Sequence, residues 1–214
     1  MEYNQKASLS KNIKNTNMIL ICIIGSISLL GVVMAIYSVF KAKFLFTLIY
    51  IFAVALGLSY VVMRINSILP TNITRDEMHL FIQNWENGLF PYRCDKGFWG
   101  EFIPAKTVIT RVNISAISKI YLGTRNYLLK LVSQGKLYDI LTSDDKRHLQ
   151  ILKKMDFLYI LTKDNKELYM SVTDFDEKEL AELLKPIVEE NERIDFRCNN
   201  RYISKEIPPR RITF

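Results

Sequence analysis

Two uncharged apolar tracts, separated by three residues, constrain this chain more than any other feature. Met18–Phe40 runs 23 residues without a charge and Phe44–Met63 runs 20, with only Lys41-Ala42-Lys43 between them. About 20 apolar residues suffice for a helix to cross a hydrocarbon core of about 30 Å. Each tract meets that length, and the pair predicts a transmembrane helical hairpin over residues 18–65. A secretory signal would have a shorter apolar core followed by a cleavage site, and here a second span follows at once. Lys41 and Lys43 fit the turn, because their stems can reach the headgroups while Tyr37, Phe40, Phe44 and Phe46 lie at the interface.

A hairpin puts both termini on one side. Lys6, Lys11, Lys14, Arg64 and Arg75 flank the spans, against only Lys41 and Lys43 in the loop. The positive-inside bias therefore predicts a cell-membrane protein with both termini in the cytoplasm. The formal net charge of +7 is concentrated at these flanks. Residues 66–214 are close to neutral, which argues against nucleic acid as a partner. Neither span holds an ionisable residue, which argues against a proton relay or ion pathway.

Small residues recur along the spans: Ser28, Gly31, Ala35 and Ser38 on the first, Ala53 and Gly57 on the second. Such seams let helices approach closely in lipid. They serve either packing within the hairpin, or self-association or a protein partner docking through the helices.

Residues 1–17 are polar and read as a cytoplasmic tail. Within 66–96, Thr74-x-x-Glu77 has capping-box spacing, and Met78, Phe81, Ile82 and Trp85 follow at helical intervals. The expectation is a juxtamembrane amphipathic helix, lying on the bilayer or against the domain. The segment FPYRCDKGFW (90–99) interleaves aromatics with Arg93 and Lys96. Its aromatics fill a small core, or Tyr92, Arg93, Lys96 and Trp99 touch headgroups or a peptide, as Lys41, Lys43 and Arg64 would.

Residues 97–198 read as an α+β domain. Strands are predicted over 98–103, 107–114 and 118–122, then helices across 124–155, one of them capped by Ser143. Phe157–Thr162 and Glu167–Val172 flank Lys163-Asp164-Asn165-Lys166 and predict a hairpin. In TDFDEKELAELLKPIVEEN, Asp174 reads as the N-cap, Leu180, Leu183, Leu184, Ile187 and Val188 form an apolar face, and Pro186 predicts a kink or a break. A last strand and a basic tail, 199–214, follow.

Phe157–Leu184 (FLYILTKDNKELYMSVTDFDEKELAELL), together with Ile117–Leu122 (ISKIYL), resembles the end of bacterial pleckstrin-homology-like (PH-like) domains. The order of two membrane spans and then such a module is similar too. The resemblance implies a PH-like sheet or barrel closed by a helix. It also implies an interaction or regulatory role, for instance in envelope stress or in self-protection against bacteriocins. The helical reading of 124–155 departs from that pattern, as an insertion or as a different α+β fold.

No Walker A loop, G-x-S-x-G elbow, H-E-x-x-H or paired C-x-x-C occurs. His79 and His148 fall on separate predicted elements, and Asp144-Asp145 and Asp174/Asp176 fall at helix starts, where capping accounts for them. Cys22, Cys94 and Cys198 have no motif spacing, and a cytoplasmic domain favours free thiols. The expectation is a non-enzymatic protein with no catalytic residues, no metal and no cofactor. A subunit of a secretion or conjugation complex, or an enzyme without a linear motif, remains as the alternative.

Overall fold

The computed structural model describes residues 5–68, 71–93, 100 and 103–210. Two compact bodies emerge. One gathers residues 11–70 and 85–107, and the other gathers 1–10, 71–84 and 108–214.

The first body is built on α1 (Lys11–Phe40) and α2 (Phe44–Ile68), both long and apolar enough to cross a membrane. Lys41-Ala42-Lys43 reverses the chain, with Ala42 at φ 53°, a left-handed value that a single residue can hold in a tight turn. Small residues set the closeness of the pair. A Cβ on Gly31 would lie 2.7 Å from Val54 Cγ2, and one on Gly57 would collide with the Ser28 hydroxyl. Ser38 and Thr47 bury their hydroxyls against one another at 2.7 Å beside the turn. Most of the remaining surface of both helices is apolar and exposed.

Residues 85–93 and 103–107 form a collar on the C-terminal end of α2. The Asn66 amide donates to the carbonyls of Pro91 (2.8 Å) and Ala105 (3.0 Å), while the Asn66 carbonyl accepts from the Trp85 indole at 2.9 Å. Asn87 accepts from the backbone N–H groups of Leu89 and Phe90, and Gly88 (φ 78°) turns the chain. Trp85, Leu89, Phe90 and Ala105 are buried beneath these ties.

The second body contains two four-stranded sheets. The first has the order β1 (Gln5–Ser8), β2 (Asn72–Arg75), β3 (His79–Trp85), β4 (Thr107–Asn113). Two expectations are corrected here. The segment read as a polar tail supplies β1, whose Gln5 pairs with Arg75 and Ser8 with Asn72, and α1 begins already at Lys11. The expected amphipathic helix after the spans is instead the β2–β3 hairpin, with Thr74 opposite Phe81. Asp76, not a capping box, makes the turn, accepting from the N–H groups of Met78 and His79. The physical reason is the edge that β1 offers. With a backbone partner present, alternate burial of Leu80 and Ile82 satisfies both core and ladder, where a short helix would satisfy only one.

The second sheet has the order β7 (Glu167–Ser171), β6 (Asp156–Thr162), β5 (Ile117–Thr124), β8 (Asp195–Cys198). The predicted β6–β7 hairpin is present, turning at Asn165 with φ 58°. β8 returns through α6 (Glu177–Glu190) to lie parallel to β5. Three short helices, α3 (Arg125–Leu128), α4 (Lys136–Leu141) and α5 (Lys146–Leu152), join β5 to β6. The backbone of Asp145, not Ser143, immediately precedes α5, and the Asp145 carboxylate accepts from the His148 N–H at 3.4 Å. A final turn of helix, α7 (Ile203–Glu206), follows β8.

One face of the second sheet carries Ile120, Leu122, Leu158, Ile160, Met170 and Phe196 into a core shared with α6 and with Ala7, Ile73, Leu80 and Ile82 of the first sheet. The cap of α6 is Asp176, which accepts from the N–H groups of Lys178 and Glu179. Asp174, the expected cap, instead gives its carbonyl to Ser10 N–H at 2.8 Å. Helix α6 also runs unbroken through Pro186. An internal proline costs a helix about 3 kcal/mol. Leu180, Leu183, Leu184, Ile187 and Val188 are all buried, each contributing roughly 1.5–3 kcal/mol, and this burial outweighs the cost.

Candidate functional site

The opposite face of the second sheet holds a cleft. Register places Tyr121 opposite Tyr159 and Tyr159 opposite Tyr169, so the three tyrosines share that face with Lys119, Leu161 and Glu167. Helices α3 to α5 cover half of the face with buried Leu128, Leu137, Leu141 and Leu152. The other half stays open, rimmed by Leu131, Val132, Ser133, Gln134 and Gly135, and encloses about 480 Å³.

Its floor is an ordered polar chain. The Tyr121 hydroxyl donates to Asp195 Oδ2 at 2.8 Å, and Arg197 Nε donates to Asp195 Oδ1 at 3.0 Å. The Arg197 guanidinium lies 5.6 Å from the Tyr121 ring centre, on which Tyr159 stacks at 5.9 Å. The Tyr159 hydroxyl reaches Glu167 Oε1 at 3.4 Å, and Glu167 Oε2 accepts from the Lys136 N–H at 2.8 Å. Gly135, at φ 108°, lets the rim close over Glu167, since a Cβ there would strike the carboxylate. Burial, reinforced by Asp195, raises the Tyr121 phenol well above its ordinary range, and burial beside Glu167 pushes Tyr159 up to about 12. Both remain hydrogen-bond donors at neutral pH.

Tyr121 and Tyr159 are each 3 % exposed and form the buried floor, so a bound chain would meet the half-buried Lys119, Leu161 and Glu167 and the rim above them. Among the described residues, no group of three His, Cys, Asp or Glu side chains has metal-binding proximity. Cys198 is buried in the α6-facing core, and burial pushes its thiol up to about 11, away from thiolate chemistry. The two histidines are far apart in sequence, and each faces an aspartate three residues before it: His79 with Asp76 and His148 with Asp145, both at 3.3 Å. His79 lies on β3 and also meets Arg111, the pair packing near Phe81. A second, smaller cleft of about 360 Å³ surrounds the Arg75–Glu190 ion pair (3.1 Å), which ties β2 to the end of α6.

The residues singled out from sequence fall into three places. Lys41 and Lys43 sit at the exposed turn, their ammonium groups 5.9 Å and 5.8 Å from the rings of Tyr37 and Phe46. Arg64 donates to the Tyr60 hydroxyl (2.8 Å) and to Asn17 Oδ1 (3.1 Å), joining the open ends of α1 and α2. Tyr92 and Arg93 are half-buried in the collar, with the Phe90 and Tyr92 rings 5.3 Å apart, whereas Cys94, Lys96 and Trp99 lie outside the described residues. Of the small-residue seam, Ser28, Gly31, Ser38 and Gly57 pack inside the hairpin and Ala35 is half-buried beside them. Ala53 is exposed, its place opposite Gly31 taken by Val54.

The tyrosine cleft escaped sequence reading. Tyrosines at alternate strand positions match an ordinary two-sided strand, and the partners Asp195 and Arg197 arrive from a strand more than 70 residues beyond Tyr121. No protein-family model, no curated protein and no solved structure matches the chain.

Proposed function

We propose that this chain is a membrane-anchored, non-enzymatic interaction or regulatory protein. Its two apolar helices span the membrane with both termini in the cytoplasm, and its β-rich body engages a polypeptide partner through the tyrosine cleft. One observation carries the anchoring: β1 and β2, the strands on either side of the hairpin, are hydrogen-bonded neighbours in one sheet. Both ends of α1–α2 must therefore return to the same side of any membrane they cross. The excess of lysine and arginine at those ends favours the cytoplasmic side.

A PH-like module is the finer reading of the β-rich body. Two sheets around one core and an amphipathic helix following the last hairpin support it. Helices α3 to α5 are then an insertion, and β8 an addition after the closing helix. A protective role against membrane-active bacteriocins or in envelope stress is consistent with a tethered binding module. Self-association would use the exposed outer faces of the helices, because the small-residue seam is occupied within the hairpin.

The test has two arms. A periplasm-dependent reporter inserted at Ala42 is active, and the same reporter at the C-terminus is inactive; the opposite pattern reverses the compartment. A photo-crosslinking amino acid at Gln134, on the cleft rim, captures a discrete protein species in cells, and one at Asp139 does not. Equal, diffuse labelling from both positions removes the cleft as the partner site.

A further inference from the structure

The collar has a fixed depth in any membrane that α1 and α2 cross, an inference that rests on reading them as spans. Arg64 and Asn17 meet at 3.1 Å, so the polar ends of the two apolar tracts lie at one level. Twenty helical residues rise about 30 Å, which matches the hydrocarbon thickness. With Phe44 at the far boundary, Met63 and Arg64 reach the near one. Asn66 then stands about 3–5 Å beyond it, inside a headgroup layer roughly 5–7 Å deep on each side.

Asn66 is also where the collar attaches. Its amide holds the Pro91 and Ala105 carbonyls, and its carbonyl holds the Trp85 indole, all within 3.0 Å. The collar is closed on itself by Ala105 N–H to Pro91 O at 2.9 Å and Glu86 N–H to Lys106 O at 2.7 Å. These ties fix residues 85–93 and 103–107 as one piece at the level of Asn66. On that piece Ile103 is 42 % exposed, two residues from the anchored Ala105, with exposed Pro104 and Lys106 beside it. An exposed apolar side chain and a lysine so close together suit a surface that is apolar at one depth and ionic a few ångströms higher.

We propose that residues 85–93 and 103–107 are an interfacial collar seated among phospholipid headgroups where α2 leaves the membrane. Ile103 enters the acyl boundary and Lys106 lies among the phosphates. The collar sets the height of α2 in the bilayer, because it cannot sink without burying Lys106 or rise without exposing Ile103.

The experiment uses the full chain in phosphatidylcholine–phosphatidylglycerol vesicles, with its cysteines replaced and a single nitroxide at Ile103 or, as control, at Ile49 in the middle of α2. Collisions with oxygen and with a water-soluble nickel chelate report depth against lipids labelled at known positions. The expected result places the Ile103 label within about 5 Å of the phosphate plane and the Ile49 label deep in the acyl region. Adding Asn66→Ala frees the Ile103 label, raising its nickel collisions several-fold while Ile49 stays unchanged. An Ile103 label as accessible to nickel as one free in buffer, with Ile49 still deep, overturns the collar and leaves the spans standing. Nickel access at Ile49 as well overturns the spans and, with them, the collar.

Discussion

The two faces of the second sheet are covered in opposite ways. Against one face lies a single 14-residue helix, α6, whose apolar residues continue into a core shared with the first sheet. Across the other face lie three helices of four to seven residues, joined by turns, which leave a cleft above the buried Tyr121 and Tyr159 and the half-buried Lys119. A long amphipathic helix buries one continuous stripe and so gives stability. Short helices cannot nucleate alone and depend on what they pack against, which leaves room for a ligand and for movement. The α6 face is built to hold, and the tyrosine face is the one the proposed partner would meet.

Truncation breaks the comparison most directly. Ile160→Ala, in the α6-facing core, should cost about 3–4 kcal/mol, and Leu137→Ala, on the other face, about 2–3 kcal/mol because the α4 segment can settle into the gap. Urea midpoints of the two variants in detergent measure the difference, and equal losses would mean that both faces are equally rigid. Gly135→Ala comes next. It combines a disfavoured φ with a Cβ aimed at Glu167 and should cost roughly 1–3 kcal/mol while loosening the cleft rim. Proteolysis at 131–136 in the folded state should then accelerate, and an unchanged rate would show that the rim does not depend on Glu167.

The smallest effect lies at the edge of the α6 face, where Asp156 is half-buried near Glu177. Burial first, and Glu177 second, raise its carboxyl above the ordinary value. A carboxyl raised on folding binds its proton more tightly in the native state, so its contribution makes stability fall as pH rises from the unfolded pKa through the folded one. Asp156→Asn should therefore be stabilising at pH 7, by less than about 1 kcal/mol once solvent screening is allowed for. That gain should vanish below about pH 3.9, where the unfolded carboxyl is itself protonated. A destabilised variant at pH 7 would show that the charge is used by a partner group.

Legibility in the sequence followed the range of the interactions. The pair of long apolar helices was readable because forty-three uncharged residues carry their own signal. So were β6, β7 and the apolar face of α6, where turn and periodicity lie within thirty residues of one another. Strand β1 was not readable. Gln5–Ser8 has one apolar residue, Ala7, and its partner lies beyond both spans. Losing β1 also hid β2 and β3, because Thr74-x-x-Glu77 suits a helix until an edge strand is present. Pro186 misled for a related reason: the local cost was visible, and the burial that outweighs it belongs to the tertiary structure. The collar was half-visible as an aromatic–basic stretch near the membrane, but its attachment through the single residue Asn66 has no sequence signature.

The position of β1 ahead of the spans has a consequence for biosynthesis. Ala7 and Ser8 precede both long helices, and they acquire their partners Ile73 and Asn72 only after some sixty more residues have been made. A nascent chain that threads one helix and fails to bring back the second leaves β1 and β2 in different compartments. The β1–β2 pair cannot then close, and the sheet is left with an unpaired edge. In the proposed topology, closure of the β1–β2 pair thus requires that both helices have returned the chain to one side.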